Sequence, residues 1–227
     1  IISFLIMQAI ILAGGFGKRL KPLTDEIPKP MIMINNKPII HRQIEWLKSN
    51  GIDEIIIAAG YKHEHIINYL TNHDLKVSYA IEDKPLDTGG GIKNAMSMID
   101  DNYFIAINGD ILTDIRLDAL FNSIDDSIAS IALVTLPSPF GIVEVDSNCN
   151  VNGFVEKPKI KDYWINAGVY YLSNKIRDYL PDVGSIERDT FPLLVKKHML
   201  KAVKYNDVYW RSIDSHKDIE EASKELR

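Results

Sequence analysis

Cysteine is almost absent: the 227-residue chain has one, Cys149. A lone thiol cannot close an internal disulfide or build a cysteine-based zinc site, and a reducing cytoplasm suits it. Histidines offer no metal set either, because the six are scattered and the nearby pair His63 and His65 lacks matching partners. Spanning apolar runs are missing. The stretch Ile1–Ala13 is too short to cross a bilayer, and it has neither the basic start nor the small-residue cleavage site of a signal peptide. Positive charge is in deficit, with 26 Lys and Arg against 31 Asp and Glu and a net charge of −5. Such a chain is poorly suited to nonspecific binding of nucleic acid or an anionic membrane. A few gathered cations would still hold a phosphorylated small molecule. Internal repeats and low-complexity runs are lacking as well.

What is present is ordinary for a globular protein: 46% hydrophobic and 25% charged residues. This composition excludes a disordered tail, a collagen-like chain and a coiled coil. At about 150 residues per domain the length suits one large domain. A chain of this size buries roughly 70–75% of its unfolded surface without staples. Met7 reads as a natural start, with Ile1–Ile6 as an extension of unassigned status, and Ile213–Arg227 as a last helix.

Apolar runs alternate with amphipathic segments through the first half. Strands are expected at Gln8–Ala13, Glu54–Ala59, Lys76–Glu82, Tyr103–Asn108 and Ser127–Thr135. Helices are expected at Pro38–Asn50, His63–Leu70, Gly89–Met98 and Arg116–Ile124. In Pro38–Asn50, Ile39, Ile40, Ile44 and Leu47 share one face, Pro38 suits the first turn and Gly51 the end. This alternation implies an α/β fold with a mainly parallel sheet between helices. After about Leu136 the pattern becomes more β-rich: a hairpin of Gly141–Asp146 and Val151–Glu156, a strand at Asn166–Leu172, and helices at Ser185–His198 and Ser215–Leu226. One domain over 7–227 is expected, with an α/β part at 7–135 and a smaller mixed β part at 136–227.

The strongest local signal is Leu12-Ala13-Gly14-Gly15-Phe16-Gly17-Lys18-Arg19-Leu20. Glycines after a strand let backbone N–H groups approach phosphate closely, and Lys18 and Arg19 add positive charge. A P-loop would need Ser or Thr where Arg19 stands, and a dinucleotide fingerprint a glycine where Leu20 stands. The segment taken alone is a glycine turn with a solvated basic pair or a phosphate cradle. The following Leu20–Thr24 and Pro28-Lys29-Pro30-Met31 favour the cradle, since two prolines fix the backbone around one ammonium.

Together these segments resemble the signature of the sugar-1-phosphate nucleotidylyltransferases, or NDP-sugar pyrophosphorylases. Further matches follow in the family's order: Thr88–Gly91, Asn108-Gly109-Asp110, Phe154–Pro158, Asn166–Tyr170 and Trp210–Asp218. The resemblance runs from Met7 nearly to the end and implies a Rossmann-like nucleotidyltransferase fold. It implies that a sugar 1-phosphate oxygen attacks the α-phosphorus of a nucleoside triphosphate, releasing pyrophosphate and forming an NDP-sugar. The nucleophile is already anionic, so positioning and cations, with Mg2+, would do most of the work.

Residue by residue, the resemblance implies that Arg19 clamps the triphosphate and Lys29 contacts the phosphates at the reacting centre. Leu12, Gly14, Gly15, Gly17, Lys18, Glu82, Thr88 and Gly89 would line the nucleotide site. Gly109, Glu156, Lys157, Asn166 and Gly168 would serve the sugar phosphate, Lys157 gripping its charge. Asp110, at the carboxyl end of a strand, matches the metal-binding aspartate. Many members carry the second metal aspartate two residues after the tryptophan, where Ser212 stands here. A branch resembling glucose-1-phosphate cytidylyltransferases has it two positions later, which makes Asp214 the candidate; Asp214 could instead cap the last helix.

Glu82 falls near a base-reading position, where a carboxylate could accept guanine N–H groups, while Asp87 replaces a common family glycine. The layout is similar to mannose- and heptose-phosphate guanylyltransferases, through Gly141–Lys157 and Ser185–Asp189. Cytidylyl, uridylyl and thymidylyl transfer to glucose 1-phosphate remain open, as do a non-catalytic regulatory subunit and a phosphocholine cytidylyltransferase. No β-helix extension of the kind bifunctional members carry is expected, and a homo-oligomer is left open. Trp46 and Trp164 read as packing residues, Cys149 as a hairpin-turn residue.

Overall fold

A computed structural model describes residues 7–226, the side chains of residues 161 and 162 excepted; the extension Ile1–Ile6 lies outside the described residues. Strand β1 (Gln8–Ala13) is buried on both faces, as its unbroken apolar run demands of a central parallel strand. A short helix α1 (Leu23–Glu26) and a two-residue ribbon, β2 (Met33–Ile34) and β3 (Lys37–Pro38), lead into helix α2 (Ile39–Ser49). There Pro38 precedes the first turn and Gly51, at φ +79, follows the last. Strand β4 (Glu54–Ala59), helix α3 (His63–Asn72), strand β5 (Ser78–Ile81) and helix α4 (Asp87–Ala95) continue the alternation.

Strand β6 (Tyr103–Asn108) is followed by the short β7 (Ile111–Thr113) and α5 (Asp118–Phe121), then by β8 (Ala129–Pro137). Strands β9 (Ile142–Val145) and β10 (Val151–Val155) form the expected hairpin, with exposed Cys149 at φ +64 in its turn. A long β11 (Lys159–Ser173), helix α6 (Phe191–Lys196), β12 (Leu200–Tyr205), β13 (Trp210–Ser212) and α7 (His216–Glu225) complete the chain.

Seven strands make one sheet in the order β12-β8-β11-β6-β1-β4-β5. All neighbours are parallel except β11, which runs antiparallel to both β8 and β6. Successive β1 residues feed opposite layers, as a period of two requires. Ala9 and Ile11 join Ile40, Ile44, Leu47 and Ile66 on one face. Ile10 joins Ile92, Phe104, Tyr170 and Leu194 on the other. A third cluster, Leu20, Ile32, Ile34, Ile39, Leu112 and Ile213, anchors the glycine loop and α7 together. Among the described residues no helix is long and apolar enough to cross a membrane.

The structure departs from the sequence expectations where patterning is weak. The helix expected at Arg116–Ile124 shrinks to Asp118–Phe121. Strand β11 starts seven residues before the expected Asn166, through a polar segment with register shifts between Ile160 and Trp164 and between Asn166 and Tyr170. Strand β12 was not expected. It is a sheet edge with exposed Lys201 and Lys204, the kind of charge that guards an edge and blurs apolar alternation. The helix expected from Ser185 starts as a wide turn, Ile186–Thr190, before α6.

Candidate active site

Beyond Ala13 the chain leaves the sheet as Gly14–Gly17. Gly17 adopts φ +59, and a Cβ there would meet Thr24 Cγ2 at 2.9 Å and Lys29 Cβ at 3.1 Å. The loop is fastened by Thr24 Oγ1, which donates to the Gly17 carbonyl (3.0 Å), and by buried Leu20. It forms one wall of a cavity of about 580 Å3. The other walls come from the carboxyl ends of β1 and β6, where open parallel sheets offer ligand crevices.

On this cavity wall four charged side chains meet. Lys29 lies between buried Pro28 and Pro30, and its side chain is only 14% exposed. Its Nζ donates to Asp110 Oδ2 (2.6 Å) and Asp214 Oδ1 (2.8 Å). Arg19 Nη2 pairs with the same Asp214 oxygen at 2.8 Å. The two aspartates are brought together by the pairing of β7 with β13, Ile111 opposite Ser212, and by the Ile213 N–H donating to the Asp110 carbonyl (2.9 Å). Burial pushes the Asp214 carboxyl up, but Lys29, Ser212 and Arg19 outweigh it and hold the group below the usual carboxylate range. The last helix is capped by Ser215, which forms a reciprocal capping box with Asp218. Asp214 stands before that cap, so the capping alternative does not hold.

The Asp110 turn is tightly built. Gly109 N–H donates to the Leu12 carbonyl (2.9 Å), and a Cβ on Gly109 would run into that oxygen. Beneath it, buried Gln43 donates its Nε2 to the carbonyls of Asn108 and Ile111, both at 2.9 Å.

Elsewhere on the cavity wall the Glu82 carboxylate fills a niche of glycines. A Cβ on Gly14 or Gly91 would come within 2.7 or 2.8 Å of its oxygens. Leu86 N–H donates to it at 3.3 Å, and burial pushes its carboxyl up. Asp87, on the cavity wall, sits at φ +62 and pairs with Arg188 at 2.7 Å. This left-handed backbone is one a glycine adopts without strain, which accounts for a family glycine at this position.

Most sequence-predicted residues therefore converge. Leu12, Gly14, Gly15, Gly17, Lys18, Arg19, Lys29, Glu82, Thr88, Gly109, Asp110 and Asp214 all line the one cavity. Gly89 is set behind it: its N–H donates to the Gly184 carbonyl (2.8 Å), and a Cβ would press on that oxygen at 2.9 Å. It serves helix packing there. Glu156 and Lys157 are exposed at the end of β10, pairing with each other at 3.7 Å, and stand outside the cavity wall. Asn166 and Gly168 adjoin that wall indirectly. Gly168, at φ +70, packs against Asn108, a Cβ there lying 3.0 Å from Asn108 Nδ2.

Three residues went unassigned from sequence. Asn108 lines the cavity, and its Oδ1 is buried without a hydrogen-bond partner among the described residues. Ser212 Oγ donates to Asp214 Oδ2 at 2.8 Å. Glu187 accepts hydroxyl protons from Thr88, Ser185 and Tyr170. Each lies inside a segment already singled out, but nothing in spacing alone marked its role.

The donor set at Asp110 and Asp214 fits a hard divalent cation, which prefers carboxylate, phosphate and water oxygens. Two carboxylates share one cation here, the Lys29 ammonium. Among the described residues no group of three or more His, Cys, Asp or Glu is placed to hold a metal ion, so substrate and water oxygens would complete the coordination.

Comparison with known proteins gives a consistent picture. The Nucleotidyl transferase family model matches residues 8–227. D-glycero-alpha-D-manno-heptose 1-phosphate guanylyltransferase of Aneurinibacillus thermoaerophilus is 36% identical, over 97% of this chain and 99% of that protein. Mannose-1-phosphate guanylyltransferase 1 of Arabidopsis thaliana is 35% identical over 93% of this chain, which spans 62% of that longer relative. The crystal structure of HddC from Yersinia pseudotuberculosis complexed with GMP-PN superposes with a TM-score of 0.78 at 35% identity, covering 97% of this chain and all of that one.

Proposed function

The chain belongs to the nucleotidyl transferase family, within the sugar-1-phosphate nucleotidylyltransferases, and from this we propose that it is a guanylyltransferase acting on mannose 1-phosphate or a related hexose 1-phosphate. The family reaction joins a nucleoside triphosphate and a sugar 1-phosphate into an NDP-sugar and pyrophosphate. The observation that carries the base assignment is Glu82. Its half-buried carboxylate lines the cavity against Gly14 and Gly91. Ionised, it accepts only, which suits guanine, whose edge offers adjacent N–H donors. Relatives named as guanylyltransferases support the same reading.

Arg19 and Lys18 take the triphosphate on the glycine loop, and Lys29 holds charge at the reacting phosphorus. Cations gathered in this way act where charge develops on the transferring phosphate. Asp110 and Asp214 would hold Mg2+, which when bound neutralises phosphate charge and aligns the leaving pyrophosphate. Thr88 fixes the nucleotide wall. Asn166 and Gly168 face the sugar, and Glu156 and Lys157 reach the sugar phosphate from the β9–β10 hairpin. The parts 7–135 and 136–227 serve nucleotide and sugar phosphate respectively, within one domain and in a cytoplasmic setting.

A second reading has one observation in its favour. Asp214 lies four residues after Trp210, the spacing of the cytidylyltransferase-like branch, and it reaches Lys29 from there. The test is pyrophosphate release with GTP, CTP, UTP and dTTP, each against mannose, glucose and heptose 1-phosphates in Mg2+. Turnover confined to GTP supports the proposal. Turnover confined to CTP replaces it with the second reading, and absence of pyrophosphate from every pair overturns both.

A further inference from the structure

Glu187 has no assigned part in the reaction, yet it joins both substrate walls. Its Oε2 accepts from Thr88 Oγ1 (2.6 Å) and Ser185 Oγ (2.7 Å), and its Oε1 from the Tyr170 hydroxyl (3.0 Å). Every one of these hydroxyls also receives an N–H. Ile186 N donates to Thr88 (3.0 Å), Arg188 N to Ser185 (3.2 Å), and Asn166 Nδ2 to Tyr170 (2.9 Å). All three hydroxyl protons are therefore directed at one carboxylate. Beyond Tyr170 the order continues: the Asn166 amide donates from Nδ2 to the phenol oxygen, and its Oδ1 accepts the Gly168 N–H (2.9 Å). Tyr170 thus links the Nδ2 end of Asn166 to the Glu187 carboxylate, while the Gly168 N–H holds the other end. Thr88 stands on the cavity wall, whereas Asn166 and Gly168 belong to β11, assigned to the sugar under the proposed function.

We propose that Glu187 is a positioning residue that sets the nucleotide wall through Thr88 and the sugar wall through Tyr170 and Asn166 at the same time. This rests on the assignment of those two walls under the proposed function. The charge state agrees: burial pushes the Glu187 carboxyl up, but the bonds from Thr88, Ser185 and Tyr170 outweigh it and bring the group below the usual range. Burial pushes the Tyr170 phenol far up, so it remains a donor. An amide cannot replace the carboxylate. With its NH2 toward Tyr170, glutamine strands the phenol proton. With its NH2 toward Thr88 and Ser185, it strands two hydroxyl protons.

The test compares Glu187→Gln, Thr88→Val and Tyr170→Phe in the full chain, with GTP and mannose 1-phosphate as probes. Thr88→Val raises KM for the nucleotide alone, and Tyr170→Phe raises it for the sugar phosphate alone. Glu187→Gln raises both by about five- to tenfold, the effect of one lost hydrogen bond at each wall, with a smaller change in kcat. Adding Thr88→Val to Glu187→Gln adds less to the nucleotide KM than it adds to the wild type. Thermal melts establish that each variant is folded. A folded Glu187→Gln protein that shifts one KM or neither overturns the proposal. So does one that loses only kcat, in proportion to its folded fraction. Wild-type protein that binds both probes by calorimetry but turns over no pair defeats the proposed function instead. The Glu187 comparison is then read from the two dissociation constants, with the same pattern expected and the same failures decisive.

Discussion

Lys29→Met removes the one ammonium shared by Asp110 and Asp214 while keeping the length of the side chain. Stripping one partner from a fully buried ion pair costs about 3–5 kcal/mol. The Asp110 and Asp214 side chains retain 25% and 30% of their exposure, and solvent screening reduces the loss to about 2 kcal/mol. In a chain of this size that is a fall in Tm of about 4–8 °C. Turnover should fall by about 10²–10³-fold, the effect of deleting one preorganised charge-stabilising donor. The pH dependence has a definite sign. Asp214 is depressed by Lys29, so its contribution is present above the ordinary aspartate range and disappears as pH falls through the depressed value. The wild-type advantage over the variant should therefore close in acid. A divalent cation should replace the missing charge, so Mg2+ should raise the variant's Tm more than the wild type's. Calorimetry across pH with and without Mg2+, plus pyrophosphate release, reads all of these. An unchanged Tm at neutral pH, or equal Mg2+ effects on both proteins, would refute the reasoning.

Gly109→Ala should cost about 1–3 kcal/mol from overpacking alone, because its Cβ meets the Leu12 carbonyl; a melt within a degree of wild type would contradict this. Glu82→Gln should weaken GTP selectivity in competition assays. Its stability effect also has a sign: burial raises the Glu82 carboxyl, so the ionised group opposes folding above the raised value. The glutamine variant should melt higher than wild type at pH 7, and the gap should narrow toward pH 4. Gln43→Leu leaves the Asn108 and Ile111 carbonyls without their buried donor. A loss of about 1–3 kcal/mol is expected, measured by denaturant titration, together with slower turnover as the Asp110 turn loosens.

The parts of the site that sequence revealed were those with strong local rules. The loop Gly14–Leu20, the fixed Lys29 and the strand-end Asp110 each carry their own signature, and apolar runs marked β1, β4 and β6. What escaped is long-range. The meeting of Asp110 with Asp214 depends on the three-residue strands β7 and β13, too short for periodicity to register. The Glu187 network joins residues as far apart as Thr88 and Glu187 through side-chain hydroxyls and two backbone N–H groups. Strand β12 was hidden by its edge lysines. Gly89 carried a phosphate-like motif, yet its N–H is committed to Gly184. A glycine run signals close backbone approach without saying what approaches.

The antiparallel strand β11 has a consequence for how the chain is made. It inserts between β6 and β8, both of which leave the ribosome earlier. Until β11 arrives, a nascent chain ending near Pro137 has β6 and β8 with no strand between them. Exposed strand edges of this kind are aggregation-prone, and closing the gap requires pairing across a long sequence separation, which is slow. Completion of the sheet therefore waits until β11 has been made. By the same logic the chain could be cut in the exposed Ser147–Asn150 turn and reassembled from two fragments. The second fragment would supply β11 as the missing centre strand, with recovered pyrophosphate release as the signal of complementation.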